Sequence, residues 1–175
     1  MNVSNAILAG LASFTLIAGG AYAQKASNAN RLASDNKFLV NAAQGGMAEV
    51  EMGQLAEQHA SSDQVKKFGQ RMVTDHSKAN DELKKIASQK GATVPTEVNA
   101  KQKATLDKLS ALNGADFDRA YMQDMVKDHK EDVSEFKKEA NSGDDPDMKA
   151  FASKTLPTLE DHLKMAEETE SQIKK

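Results

Sequence analysis

Glu49, His76, His129 and His162 are the residues whose types and positions can do chemistry together. Each falls near the middle of a long amphipathic segment, on its apolar side, and each segment is a different one. An α-helix rises ~1.5 Å per residue, so side chains at similar distances from their helix starts reach the same level whichever way each helix runs. Packed into one bundle, the four groups meet near its midplane as a core metal site or as a buried hydrogen-bonded network. Neutral imidazole with carboxylate suits Zn, Fe, Ni or Cu, with geometry deciding among them. The alternative makes Glu49 a buried acid bonded to these histidines, a network that sets helix register and binds nothing.

Residues around this set carry secondary readings. Asp75, Asp128 and Asp161 each precede a histidine and point about 100° away around the helix. Such carboxylates either orient a neighbouring helix's imidazole, as acids beside metal ligands do, or make salt bridges at the bundle boundary. Met72 and Met125 stand one turn before His76 and His129. Thioether with imidazole favours Cu(I), but methionine is also a common filler of irregular cores. His59 sits in the last turn of its helix, where the helix dipole favours positive charge. Dinuclear carboxylate bundles use Glu-x-x-His on two helices; here the residue three before each histidine is Val73, Val126 or Leu159, so the carboxylates that would hold two iron ions are expected to be missing from the seam. No catalytic residue is assigned, and a metal-dependent oxidase is the weakest reading.

Composition removes other classes. The 175 residues include no Cys, which excludes thiolate catalysis, Fe–S clusters and Cys-based zinc sites. A net charge of −3 offers no basic face for a phosphate backbone, so nucleic acid is not an expected partner. A metal ion, a second copy of the chain or an envelope protein are the partners that remain. No Gly-rich phosphate loop, Ser-His-Asp signal or EF-hand is present, and Asp144 to Asp147 reads as an acid-rich helix start.

The first 23 residues differ from the rest. Ala6 to Gly20 is an apolar and small-residue run followed by Ala21-Tyr22-Ala23, the small-x-small pattern of a signal-peptidase site, although the segment before it holds no Lys or Arg. Cleavage is expected before Gln24, with export to the periplasm or cell envelope. Ser13, Thr15 and several glycines interrupt the run, which disfavours a permanent span of roughly 20 apolar residues. The domain reading is a signal peptide at 1–23, a polar linker at 24–33 and one helical domain at 34–175.

The elements follow from periodicity and caps. The first helix is expected from Ser34 or Asp35 to Ala60, with a stripe of mostly small residues: Leu39, Ala42, Gly46, Glu49, Gly53 and Ala56. Ser61-Ser62-Asp63 breaks the chain and caps a second helix ending at Gly91, with Val65, Phe68, Met72, His76, Leu83 and Ile86 inward. A break this short makes the pair antiparallel. Residues 91–115 hold Pro95 and a short helix, long enough to return the chain to the starting end. The next helix spans Asp116 to Asn141. Asp145-Pro146 then opens the last helix with an acidic cap and a proline at its first position. Leu156-Pro157 is expected to interrupt that helix with a kink near Ser153 to Pro157, one turn before His162, since proline removes a donor and crowds the carbonyl four residues back.

The string Phe68 to His76 returns at Tyr121 to His129 with Gln, Met, Val, Asp and His in the same places. Two helical pairs joined by a long crossover are the layout of ferritin-like bundles, so the fold class is all-α: a ferritin-like four-helix bundle with a short extra helix in the crossover. Ala48 to Ala56, Met72-Val73-x-Asp75-His76 with Asn80, His129, and Leu156-Pro157-x-Leu159-x-x-His162, in that order, resemble the bacterial exported ferritin-like family of unknown function whose members are often labelled outer membrane proteins. The resemblance covers Phe38 to Thr169. It implies the fold and an envelope location, and no activity. The resulting expectation is an exported bundle that binds Zn, Fe or Cu in its core, against an envelope interaction module holding the same residues as a polar network.

Overall fold

The computed structural model describes the backbone of residues 18–174 and side chains from Ala33 onward. It is all-helical: α1 (Ala18–His59), α2 (Asp63–Lys90), α3 (Ala100–Ser110), α4 (Gly114–Ser142) and α5 (Pro146–Ile173), with no strand among the described residues. Gly91 ends α2 in the left-handed conformation at φ 64°, the cap expected of a glycine there. Asn99 and Gln102 start α3 with a reciprocal capping box. Asp145 caps α5 by accepting from the amides of Asp147 and Met148, with Pro146 in the first turn.

α1 and α2 are antiparallel, since Gly53 faces Gly69 while Gly46 faces Asn80. A Cβ on Gly53 would lie 2.7 Å from the Gly69 carbonyl, and one on Gly69 2.8 Å from that of Gly53, so the two backbones approach more closely there than side chains allow. α4 and α5 are antiparallel through Phe136 on Phe151 and His129 on His162. α1 also runs antiparallel to α4, with Phe38 on Phe136 at one end and His59 on Phe117 at the other. α2 and α4 are therefore parallel, joined by the crossover that carries α3. The string repeated in the sequence lies on these two parallel helices and puts His76 and His129 at one depth.

Each hairpin's first helix lends an aspartate to the other hairpin's turn. Asp118 of α4 accepts from the amides of Ser61 (3.1 Å) and Ser62 (3.0 Å) and from the Ser61 hydroxyl. Asp35 of α1 accepts from the amides of Asp144 (3.3 Å) and Asp145 (2.8 Å). Ser62 stands at the start of α2 but makes no side-chain cap bond; its own amide is held by Asp118.

Two sequence expectations change. α1 does not begin at Ser34 or Asp35; its backbone is helical from Ala18, through the segment 24–33 read as a linker. No Gly or Pro lies between Ala21 and Gln44 to stop it, and Asp35 turns to the α4–α5 turn instead of capping its own helix. Residues 1–17 of the expected signal peptide lie outside the described residues. Pro157 does not interrupt α5, which is continuous from Pro146 to Ile173. Proline costs one backbone bond there, while Phe151, Ala152 and Leu159 on either side are buried in the core and hold the helix together.

The core is two apolar clusters with a polar layer between them. One gathers Met52, Phe68, Met72, Phe117, Tyr121 and Met125 at the α1–α2 turn end. The other gathers Phe38, Leu39, Leu83, Phe136, Phe151 and Leu159 at the opposite end.

Candidate metal centre

The layer between the clusters is made of Glu49 from α1, His76 from α2, His129 from α4 and His162 from α5, all buried. The imidazoles stand in contact, with ring centroids 5.8 Å apart for His76–His129, 5.3 Å for His76–His162 and 5.4 Å for His129–His162. One ring nitrogen from each lies within 4.8 Å of the others.

Each ring has one nitrogen held by an oxygen. His76 Nδ1 is 2.8 Å from Glu49 Oε2. His129 Nδ1 is 3.0 Å from the Met125 carbonyl, and His162 Nε2 is 2.9 Å from Asp75 Oδ2. A carbonyl only accepts, so His129 carries its proton on Nδ1 and presents a lone pair at Nε2. The other nitrogens, His76 Nε2, His129 Nε2 and His162 Nδ1, are buried and have no hydrogen-bond partner. One anchored and one bare nitrogen per ring is the arrangement by which proteins orient imidazole ligands. Burial, opposed in part by nearby acids, holds His76 and His162 down at about 4; burial and the other two imidazoles hold His129 at about 3. All three are neutral at neutral pH, the form a metal requires.

Glu49 stands between two environments. Its Oε2 meets His76, while Oε1 is unpartnered and 3.4 Å from His129 Nε2. Burial first, then Asp128, holds its carboxyl well above the usual range. Beside it, Asp128 and Asp132 from α4 each bring a carboxylate oxygen within 4.8 Å of Glu49's and of one another's. The absence of Glu-x-x-His suggested that no further carboxylate reaches the seam, and this is corrected: the acids come one residue before and three residues after His129. Asp132 was missed because the ferritin-type motif places its acid before the histidine. Asp128–His129–Asp132, read as one helical face and its edge, was the available signal.

The remaining candidates separate. Asp75 is the orienting partner of His162 and also bonds Arg71; burial raises its carboxyl, but these two bonds outweigh it and hold the group below its ordinary value. Asp161 is a boundary group, exposed and 3.9 Å from Arg71. Met72 and Met125 are buried in the apolar cluster, and Met125 serves His129 through its carbonyl. His59 Nδ1 meets the Leu112 carbonyl and Asn113 Oδ1, each at 3.0 Å, and so ties α1 to the end of the crossover.

Two cavities touch the site. One of about 20 Å³, room for a single water, is lined by Gly46, Glu49, His76, Asn80 and Asp132 among others. A larger one of about 180 Å³ opens between α1, α3 and α4 onto Asp128 and Asp132.

No curated protein matches the chain. Among solved structures it is similar to a DUF305 fragment from Deinococcus radiodurans, with a TM-score of 0.70 at 11% identity over 79% of this chain and 96% of that one. It is also similar to a DUF305 protein from Streptomyces coelicolor described as a predicted secreted protein, with a TM-score of 0.68 at 14% identity over 80% of this chain and 93% of that one. At these identities the likeness is one of fold. Residues 21–169 match the family described as Domain of unknown function (DUF4142), and the chain belongs to that family.

Proposed function

We propose that this protein is an exported, non-enzymatic helical bundle of the cell envelope that binds a transition metal ion at its midplane. His76, His129 and His162 supply three ligands. Glu49 orients His76 through Oε2 and offers Oε1 as a fourth donor. The observation that carries the reading is the three buried, unpartnered ring nitrogens, each on a ring whose other nitrogen is anchored. Lone pairs sequestered from water without a donor cost free energy, and a cation of the Zn, Fe, Ni or Cu kind removes that cost. The apolar clusters above and below keep the site dry. Export rests on the signal-like segment 1–23, with cleavage before Gln24. The ferritin-like and outer-membrane labels rest on the sequence resemblance.

One observation favours a second reading. With Glu49 neutral, a proton on Oε1 can be donated to His129 Nε2 across the 3.4 Å gap, which makes the layer a metal-free polar network. Metal analysis of untagged protein purified from its native compartment, followed by thermal melts, separates the two. A ligand binding only the folded state adds RT ln(1 + [L]/Kd), about 2.7 kcal/mol at a hundredfold excess over Kd. Metal binding predicts that chelation lowers the wild-type Tm and leaves the His76→Ala/His129→Ala double variant unchanged. A wild-type Tm indifferent to Zn, Cu, Fe and chelator would rule the metal out in favour of the network.

A further inference from the structure

The carboxylates beside the histidines form a group of their own. Asp128 and Asp132 are four residues apart on α4 and project to the same side of the helix, where Glu49 of α1 meets them. Glu49 is 1% exposed; its carboxyl shares a side-chain hydrogen bond with Asp132, while its Oε1 has no donor. Lys101 and Lys127 line the adjoining cavity, yet both ammonium groups turn to Glu131 at 3.9 Å, and neither forms an ion pair with Asp128 or Asp132. Glu49 Oε2 is taken by His76 Nδ1, while Asp128 and Asp132 share the partly dry space beside it without an ion pair to Lys101 or Lys127. Carboxylate charges gathered this closely repel unless protons or a cation stand between them.

We infer that Glu49, Asp128 and Asp132 form a second cation subsite for an oxygen-preferring divalent ion of the Mn²⁺ or Mg²⁺ kind, adjoining the three-histidine site and sharing Glu49 with it. The inference leans on the histidine reading only through that shared residue. Carboxylate ligands suit these hard ions as imidazoles suit Zn or Cu. Such ions keep several waters, and the cavity of about 180 Å³ that reaches Asp128 and Asp132 has room for them. Asp132 also lines the smaller cavity against Glu49 and His76, so it stands between the solvent-facing pocket and the imidazoles. Burial and then Glu49 hold Asp132 well above the carboxylate range, and burial and then Asp124 push Asp128 up to about 6, as expected of acids crowded into one space.

The test is an Mn²⁺ titration of metal-free protein near neutral pH, following the free ion by its paramagnetic resonance signal, with and without one equivalent of Zn²⁺ added first. The wild type is expected to retain a single Mn²⁺ per chain after Zn²⁺ has occupied the histidines. Asp128→Asn and Asp132→Asn keep side-chain shape while replacing an anionic oxygen ligand with a neutral amide nitrogen. Each should weaken Mn²⁺ by about tenfold or more and leave Zn²⁺ affinity unchanged, whereas His162→Ala should do the reverse. No Mn²⁺ retention by the wild type, or retention untouched by both Asp variants, would overturn the subsite while leaving Zn²⁺ at the histidines intact. Asp132-dependent Mn²⁺ binding by a chain that takes up no Zn²⁺ would uphold the subsite and overturn the histidine site.

Discussion

His129 shows how a single residue's surroundings define the site. Its Nδ1 proton goes to the Met125 carbonyl, its Nε2 faces Glu49 Oε1, and its ring touches those of His76 and His162. Histidines and acids in this layer respond to pH in opposite senses. The histidines' folded values lie below the unfolded value of ~6.5, so their stability is present above that value and is lost as pH falls toward about 4 and 3. Asp132 is raised in the folded protein, so its contribution is present at low pH and is lost as pH rises through its folded value. Asp132→Asn removes that second dependence. Metal-free Asp132→Asn is therefore expected to melt above the wild type at pH 8, with the gap closing as pH falls to 4; thermal melts across that range check it. A gap that widens toward acid would show that Asp132 is held ionised. Greater stability without this carboxylate would come at the expense of ion binding, as when buried charges are replaced by neutral isosteres.

At the scale of the elements, the four long helices are held in register by their turns as well as by their stripes. Gly53 and Gly69 let α1 and α2 approach, while Asp118 and Asp35 tie each hairpin's turn to the other hairpin. Asp118 is 4% exposed and accepts three hydrogen bonds, two of them from the backbone amides of the α1–α2 turn. Asp118→Ala should destabilise the fold by on the order of 2 kcal/mol, the scale of losing charge-assisted hydrogen bonds whose donors water can still reach. Chemical denaturation measures the loss, and faster amide exchange at Ser61 and Ser62 would place it. A loss below about 0.5 kcal/mol, the level of an ordinary surface substitution, would mean that water replaces the carboxylate at no cost.

The whole molecule is two antiparallel hairpins closed over a polar midplane, and the histidines come from both: His76 from α2, His129 and His162 from α4 and α5. A metal there joins the hairpins at mid-length, away from either turn. Zn²⁺ at a hundredfold excess over Kd should slow amide exchange through global opening by about 100-fold, the equivalent of 2.7 kcal/mol. The slowing should extend along α2, α4 and α5 together. Protection confined to α4 and α5 would show that His76 is not a ligand.

Much of this was determined by the sequence alone. Helix stripes, the Gly91 and Asp145 caps, the crossover helix and the common depth of Glu49, His76, His129 and His162 are set by neighbours within a few residues, through 3.6-residue periodicity and end-group chemistry. Tertiary structure decided the rest. Which ring nitrogen is anchored and which is bare depends on Glu49, Met125 and Asp75, two of them on other helices. The entry of Asp128 and Asp132 into the site depends on how closely α1 lies against α4, and Asp35 and Asp118 serve turns far away in the chain. A side chain's depth along a helix follows from counting residues, but its partner follows from the packing of helices distant in sequence, and local patterns do not encode that packing.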